Sequence, residues 1–255
     1  EEARKQIMDA AAQITGTEIP NVKVNYDKSP GEYKYSVLMG DEGDIIGNKP
    51  PLSDIDTDNF KAFFRGSKVV DGEGKPLVVY HSSPNDFTEF NGLSHFGTED
   101  ASLERNFQTW ENKDYPDNYT GYIYPTYLSI KNPIELPDVF TPPGLEENKE
   151  ILKSLGLGEE FNKKVDLFKM NGPKEQIKDT YKSLYQGLRD KGYDGIKYIN
   201  DVEDFGSTSW VAFEPNQIKS ATGNIGTFSK NSDNILYAEI PNAKVGYDKN
   251  PGQYR

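Results

Sequence analysis

Leu77-Val78-Val79-Tyr80-His81-Ser82-Ser83-Pro84 is an apolar run that ends on polar chemistry. It follows a Gly72-Glu73-Gly74 turn, and its β-branched and aromatic residues predict a strand over Leu77–His81. His81 therefore stands at a strand end. Downstream, His95-Phe96-Gly97 leads to Thr98, which is placed to cap a short helix carrying Ala101, Leu103 and Phe107. Tyr122–Ile130 reads as a second strand, stopped at Asn132-Pro133. Residues 141–192 read as helical. The best segment opens at Pro173, carries Ile177, Tyr181, Leu184 and Leu188 on one stripe, and closes at Gly192. Two last strands follow, Gly195–Ile199 and Ser209–Phe213. Upstream, Asp58–Phe64 reads as a helix ended by Gly66. Strands at both ends with helices inserted between them imply an α+β fold.

The chain has 255 residues, enough for one large domain or one domain with an appendage. Aromatic residues make up 12%, so Tyr and Phe must supply much of the core. The net charge of −12 repels phosphate polymers, which argues against a nucleic-acid target unless a local basic patch overrides the field. There are no cysteines, which removes disulfides, thiolate nucleophiles and thiolate metal sites. With two histidines in the whole chain, no metal site is expected. No apolar run is long enough to span a membrane, and no signal-peptide pattern opens the chain. The opening Glu1-Glu2-Ala3-Arg4 reads as mid-helix, as if cut from a longer chain.

Residues 1–56 divide into a helix over 1–15, with Ile7, Ala11 and Ile14 on one face, and a Gly-, Pro- and Tyr-rich linker or outer lobe with a strand-like piece at Tyr35–Leu38. Residues 57–230 form the main domain. The tail, 231–255, repeats earlier sequence: EIPNVKVNYDKSPGEY at Glu18–Tyr33 returns as EIPNAKVGYDKNPGQY at Glu239–Tyr254, with twelve of sixteen positions identical. Either a short structural motif with a Pro-Gly turn is duplicated, or the parent protein carries tandem copies of the domain.

Four segments, in order, carry a family resemblance. They are Val78–Pro84 with Asp86-Phe87 and Glu89-Phe90; His95–Thr98 with Ala101 and Arg105; Gly192-Tyr193-Asp194-Gly195-Ile196; and Thr208–Ser220. From about Asp58 to Phe228 the chain resembles the ADP-ribosyltransferases of phage polyvalent proteins, head-morphogenesis fusions and polymorphic toxins. The same segments look like weaker versions of the poly(ADP-ribose) polymerase His-Tyr-Glu signature. His81-Ser82 resembles the His element, His95-Phe96 the Tyr element, and Ser209–Glu214 with Gln217 the Glu element. The resemblance implies two facing, mostly antiparallel sheets around an NAD cleft, with the helices of 141–192 packed on one side. It implies NAD as substrate and a host protein as acceptor. It also implies a phage-delivered or toxin effector acting in the host or bacterial cytoplasm.

Breaking the nicotinamide–ribose bond builds positive charge on the ribose, so the site must hold the dinucleotide and place a carboxylate nearby. The candidate NAD-binding residues are His81, Ser82, Ser83, His95, Phe96, Thr98, Arg105 and Ser209, and the candidate catalytic residues are His95, Glu203 and Ser209. Two positions depart from the signature. His95 replaces the Tyr, as in RNA 2′-phosphotransferases of the same fold, and an imidazole can stack and hydrogen-bond. Ser209 replaces the Glu and cannot supply a charge. Glu203, in the Asp201-Val202-Glu203-Asp204 turn, is the candidate substitute, with Asp204 in reserve.

Plainer readings stand beside these. Ser209 can be a strand-start residue, Glu203 a solvated loop acid and Arg105 an exposed helix charge. Tyr80, Trp210 and Phe213 read as core. Asn216-Gln217 reads as a strand-ending turn whose amides hold a loop. Two other functions fit: NAD hydrolysis or a phosphotransferase-like reaction, and a non-catalytic binding module that kept the fold and lost its acid.

Overall fold

A computed structural model describes residues 33–38, 45–46, 50–111, 120–138, 142–169 and 174–236. The helix expected over 1–15 and the C-terminal repeat lie outside the described residues. Only the last residue of the N-terminal repeat, Tyr33, is inside them. The elements in chain order are β1 (Tyr35–Leu38), β2 (Ile45–Ile46), α1 (Asp58–Phe64), β3 (Val79–Ser83), β4 (Ser94–Phe96), α2 (Glu99–Glu111), β5 (Thr120–Leu128) and β6 (Pro133–Glu135). Then come α3 (Pro142–Ser154), α4 (Gly158–Lys169), α5 (Lys174–Asp190), β7 (Gly195–Ile199), β8 (Thr208–Ala212) and β9 (Ile218–Ser220). The fold is α+β, with two small sheets. Among the described residues no helix is long and apolar enough to cross a membrane.

The first sheet runs β2-β1-β5-β3, with β9 also paired to β5. The second runs β4-β8-β7-β6. Every ladder is antiparallel except β6·β7. The three helices α3–α5 form the crossover that a parallel pair requires. The sheets join where β3 meets the residue after β4: Tyr80 and Gly97 exchange two main-chain hydrogen bonds of 2.9 and 3.0 Å.

Two strands fall two residues from their sequence-based bounds. β3 begins at Val79 because Leu77 bonds back to Val69, closing the turn through Gly74 at φ 80°. β5 ends at Leu128 because the Ser129 amide turns to the Gln217 carbonyl and the Ile130 carbonyl accepts from Lys68. Pro125 lies inside this central strand. Its carbonyl accepts from Ala221 on the side away from β3, so its missing N–H falls between the β1 ladder, which ends at Ile123, and the β9 ladder, which begins at Thr126.

Val79, Phe90, Phe96, Tyr124, Leu128, Trp210 and Ala212 fill the space between the sheets. The outer face of the second sheet presents Ile196, Val211 and Phe213 to Leu152, Phe161, Leu184, Tyr185 and Leu188 of the helices. Tyr181, Leu184 and Leu188 of the expected stripe all enter this cluster, which puts the inserted helices on one side. α1 starts as its sequence dictates: Thr57 accepts from the Phe60 amide at 3.2 Å, and Gly66 leaves at φ 80°. Its Phe60, Phe63 and Phe64 pack on Tyr127 and Phe228.

The packed unit extends beyond 57–230 on both sides. β1 pairs with β5 at four positions, and Ile235 and Leu236 are buried between the sheets.

Candidate active site

β3 carries His81 toward Tyr124, its cross-strand partner on β5. Phe87, Phe90, Phe96 and Tyr124 surround the imidazole with ring centroids 5.1 to 6.4 Å away. Nδ1 lies 2.7 Å from the His95 carbonyl oxygen. A carbonyl only accepts, so Nδ1 carries the proton and Nε2 presents a lone pair. Burial pushes the His81 pKa down to about 4, against the opposing pull of the His95 carbonyl and with Arg105 lowering it further. The ring is therefore neutral at pH 7.

The opposite wall comes from β4, β7 and β8. His95 Nδ1 lies 3.2 Å from the Tyr198 hydroxyl. Tyr198 pairs across the strands with Ser209 and hydrogen-bonds its side chain, and burial holds the phenol pKa well above its usual value. Ser209 is 1% exposed. The Asn200 amide donates to Ser209 Oγ at 3.3 Å and to Glu203 Oε2 at 3.0 Å. Glu203 Oε1 meets Arg105 Nη1 at 3.2 Å. A continuous polar chain thus runs from His95 through Tyr198, Ser209, Asn200 and Glu203 to Arg105.

The turn that delivers Glu203 is built around Asn200. Its Oδ1 accepts from the amides of Val202, Glu203 and Asp204 at 2.9, 2.8 and 3.3 Å. This Asx arrangement supplies a main-chain-like acceptor inside the turn. Gly206 closes it at φ 84°. On the far side, Thr98 Oγ1 donates to Asp204 Oδ2 at 2.6 Å while accepting from the Ala101 amide, so one hydroxyl caps α2 and ties it to the turn.

These walls enclose a cavity of about 540 Å³. His81, Ser82, Ser83, His95, Phe96, Arg105, Glu203 and Ser209 line it. Thr98 and Asp204 do not; they are engaged with each other behind it. Tyr80 is half-buried and lines the cavity rather than lying in the core, whereas Trp210 and Phe213 are buried as expected. Glu203 is not a solvated loop acid, since its side chain is 12% exposed and twice bonded. Arg105, at 53%, keeps solvent contact while pairing with it. Gln217 holds a loop, donating to the carbonyls of Asp194 and Ser129.

Sequence reasoning missed Tyr198 and Asn200. The signal for Tyr198 was its cross-strand position opposite Ser209, which needs the β7·β8 register. The signal for Asn200 was an Asn at a strand end before a polar turn.

No curated protein and no solved structure matches this chain. A family model described as ADP-ribosyltransferase in polyvalent proteins matches residues 71–228, which is more than half of the chain and includes every residue lining the cavity. The chain belongs to the ADP-ribosyltransferases of polyvalent proteins.

Proposed function

We propose that this domain breaks the nicotinamide–ribose bond of NAD and transfers the ADP-ribose to a host protein. In this reading it is a mono-ADP-ribosyltransferase, of the glycosyltransferase class, delivered by a phage or toxin system. The observation that carries the proposal is the Glu203 carboxylate. It enters the cavity 3.0 Å from the amide that also holds Ser209, beside the very position where the resemblance calls for an acid.

In the proposed reaction, His81 Nε2 accepts a hydrogen bond from a ribose hydroxyl, and the ring's neutrality keeps that lone pair available at pH 7. Ser82, Ser83 and Phe96 bind the nicotinamide end, and His95 stacks or hydrogen-bonds beside it. Arg105 has the exposure to turn toward the pyrophosphate, which a guanidinium pairs with well and which would release Glu203 to the ribose. As the C1′–N bond breaks, its electron pair leaves with nicotinamide. Glu203 stabilises the developing positive charge on the ribose. Thr98 acts by positioning, through its tie to the Glu203 turn.

A second reading, an NAD-binding module without turnover, is favoured by one feature: Ser209 is a buried hydroxyl and the nearest carboxylate is paired with Arg105. Nicotinamide release from NAD by the purified protein separates the two. Release into water alone supports a glycohydrolase, release with protein labelling supports the transferase, and tight NAD binding without release supports the module. The net charge of −12 favours a protein acceptor over nucleic acid. The repeat at 239–254 supports tandem copies in the parent chain.

A further inference from the structure

The Glu18–Tyr33 repeat plays no part in the site described above, yet its last residue reaches the loop that borders the cavity. Tyr33 and Lys34 immediately precede β1, whose register on β5 pairs Tyr35 with Ile123 and Ser36 with Tyr122. Tyr33 Oη donates to Asp86 Oδ1 at 2.8 Å, and Lys34 Nζ lies 3.1 Å from Asp86 Oδ2, so both carboxylate oxygens are held. The Lys34 ammonium also lies 4.6 Å from the centroid of the Tyr33 ring and 5.1 Å from that of Tyr122. Its side chain is 19% exposed, which shields the pair more than a surface ion pair is shielded. Burial, with the Asp86 carboxylate adding to it, pushes the Tyr33 pKa up to about 12, so the phenol keeps the proton that it donates.

Asp86 lies where the chain has left the sheets. β3 ends at Ser83, and the next main-chain anchor is the Thr88 carbonyl, which accepts from Ile235 at 2.9 Å. Asn85 and Phe87, on either side of Asp86, line the NAD cavity. Tyr124 pins them from the core side. Its hydroxyl donates to the Asn85 carbonyl at 2.9 Å and accepts from the Phe87 amide at 3.1 Å, and its ring stacks on Phe87 at 4.6 Å. Phe87 is in turn one of the four rings around His81. Tyr33 braces the loop from the other side, with its ring 6.3 Å from Tyr124. The loop is thus gripped between the central strand and a tyrosine 53 positions earlier in the chain. The repeat supplies an independent observation. Tyr254 is followed by Arg255, so the order of Tyr33-Lys34, a phenol and then a cation, returns with a different cation.

We propose that Tyr33 and Lys34 are positioning residues for NAD: by clamping Asp86 they hold Asn85 and Phe87 at the cavity wall in the geometry that binds the dinucleotide. The proposal rests on the NAD reading given above. A loop fixed before the ligand arrives has little freedom left to lose on binding, so the clamp acts on affinity. Glu203 stands on the β7–β8 turn of the facing wall, so the bond-breaking step is spared.

Three variants of the full chain test this. Tyr33→Phe removes the phenol's hydrogen bond, Lys34→Met removes the charge, and Lys34→Arg keeps it. The readouts are an NAD binding isotherm, the kinetics of nicotinamide release, and amide hydrogen exchange over Asn85–Thr88 without NAD. Tyr33→Phe and Lys34→Met are expected to raise Kd and KM for NAD by about three- to tenfold, with kcat within about twofold of the parent protein. Exchange over Asn85–Thr88 should quicken by at least about fivefold in both. Lys34→Arg should stay within about twofold of the parent in every readout. Unchanged exchange in both Tyr33→Phe and Lys34→Met would overturn the clamp. Faster exchange with Kd and KM unmoved would leave it a purely structural contact and overturn the positioning role, as would a loss in kcat alone. If the parent protein neither binds NAD nor releases nicotinamide, the NAD reading itself falls and takes the proposal with it, an outcome visible before any variant is made.

Discussion

His81 is held by a cage of four aromatic rings and one main-chain carbonyl, whereas Glu203 on the facing wall is held by a single Asn side chain, an arginine and an eight-residue connection. The first wall is fixed by burial. Its position is set by the same packing that joins the two sheets, and shifting it costs core contacts. The second is fixed by directional hydrogen bonds in a turn whose apolar side chains face out, with Phe205 85% exposed and Ile199 and Val202 about half exposed. The geometry around His81 thus rests on the core. Glu203 rests on the turn between β7 and β8, outside both ladders. That is how a third-position Ser can coexist with a carboxylate in the same cavity.

The contrast is sharpest at Glu203. Glu203→Gln keeps the shape and removes the charge, so nicotinamide release is expected to fall about 10²- to 10³-fold while NAD affinity stays within about twofold. Steady-state kinetics with a binding isotherm checks this, and normal turnover would move the catalytic acid elsewhere. Asn200→Ala strips the acceptor from three turn amides and should destabilise the protein by about 2–3 kcal/mol, seen in urea unfolding, with release falling alongside. If stability is unchanged, the turn is not organised by Asn200.

His81→Ala tests the caged wall. The loss of one buried hydrogen bond to substrate should weaken NAD binding by about 1–3 kcal/mol, with calorimetry as the measure. Undiminished affinity would remove His81 from the site. The smallest effect concerns acidity. His81 has a folded pKa of about 4, below the 6.5 of an exposed histidine. The unfolded chain therefore binds the proton first. The stability is fully present above pH 6.5 and is lost progressively as the pH falls toward 4, with about 1 kcal/mol lost between pH 7 and pH 5.5. The loss over that interval should disappear in His81→Gln, and a slope that persists there belongs to other groups.

Much of the fold was legible because it depends on local pattern. The Asp58–Phe64 helix and its Gly66 stop, the Gly195–Ile199 strand and the Tyr181-Leu184-Leu188 stripe all follow from spacing that each segment carries by itself. The ends of β3 and β5 were off because residues outside each segment set them: Val69 takes the Leu77 amide, Gln217 takes the Ser129 amide and Lys68 donates to the Ile130 carbonyl. The strand-like Tyr35–Leu38 read as part of a linker because nothing local says that it pairs with β5.

The sequence by itself determined which chemistry was available: two histidines at strand edges, a serine where an acid was wanted, acids in the turn before it, and no thiol at all. Only the tertiary structure decided which of these groups meet. Glu203 rather than Asp204 faces the cavity because Asn200 folds the turn one way and Thr98 claims Asp204. Tyr198 enters the site because the β7·β8 register sets it opposite Ser209. Residue types set ordinary pKa values, charges and hydrogen-bonding capacity one at a time, and burial then shifts them. Convergence on a cavity is a property of strand register and turn geometry, which depend on partners far away in the chain.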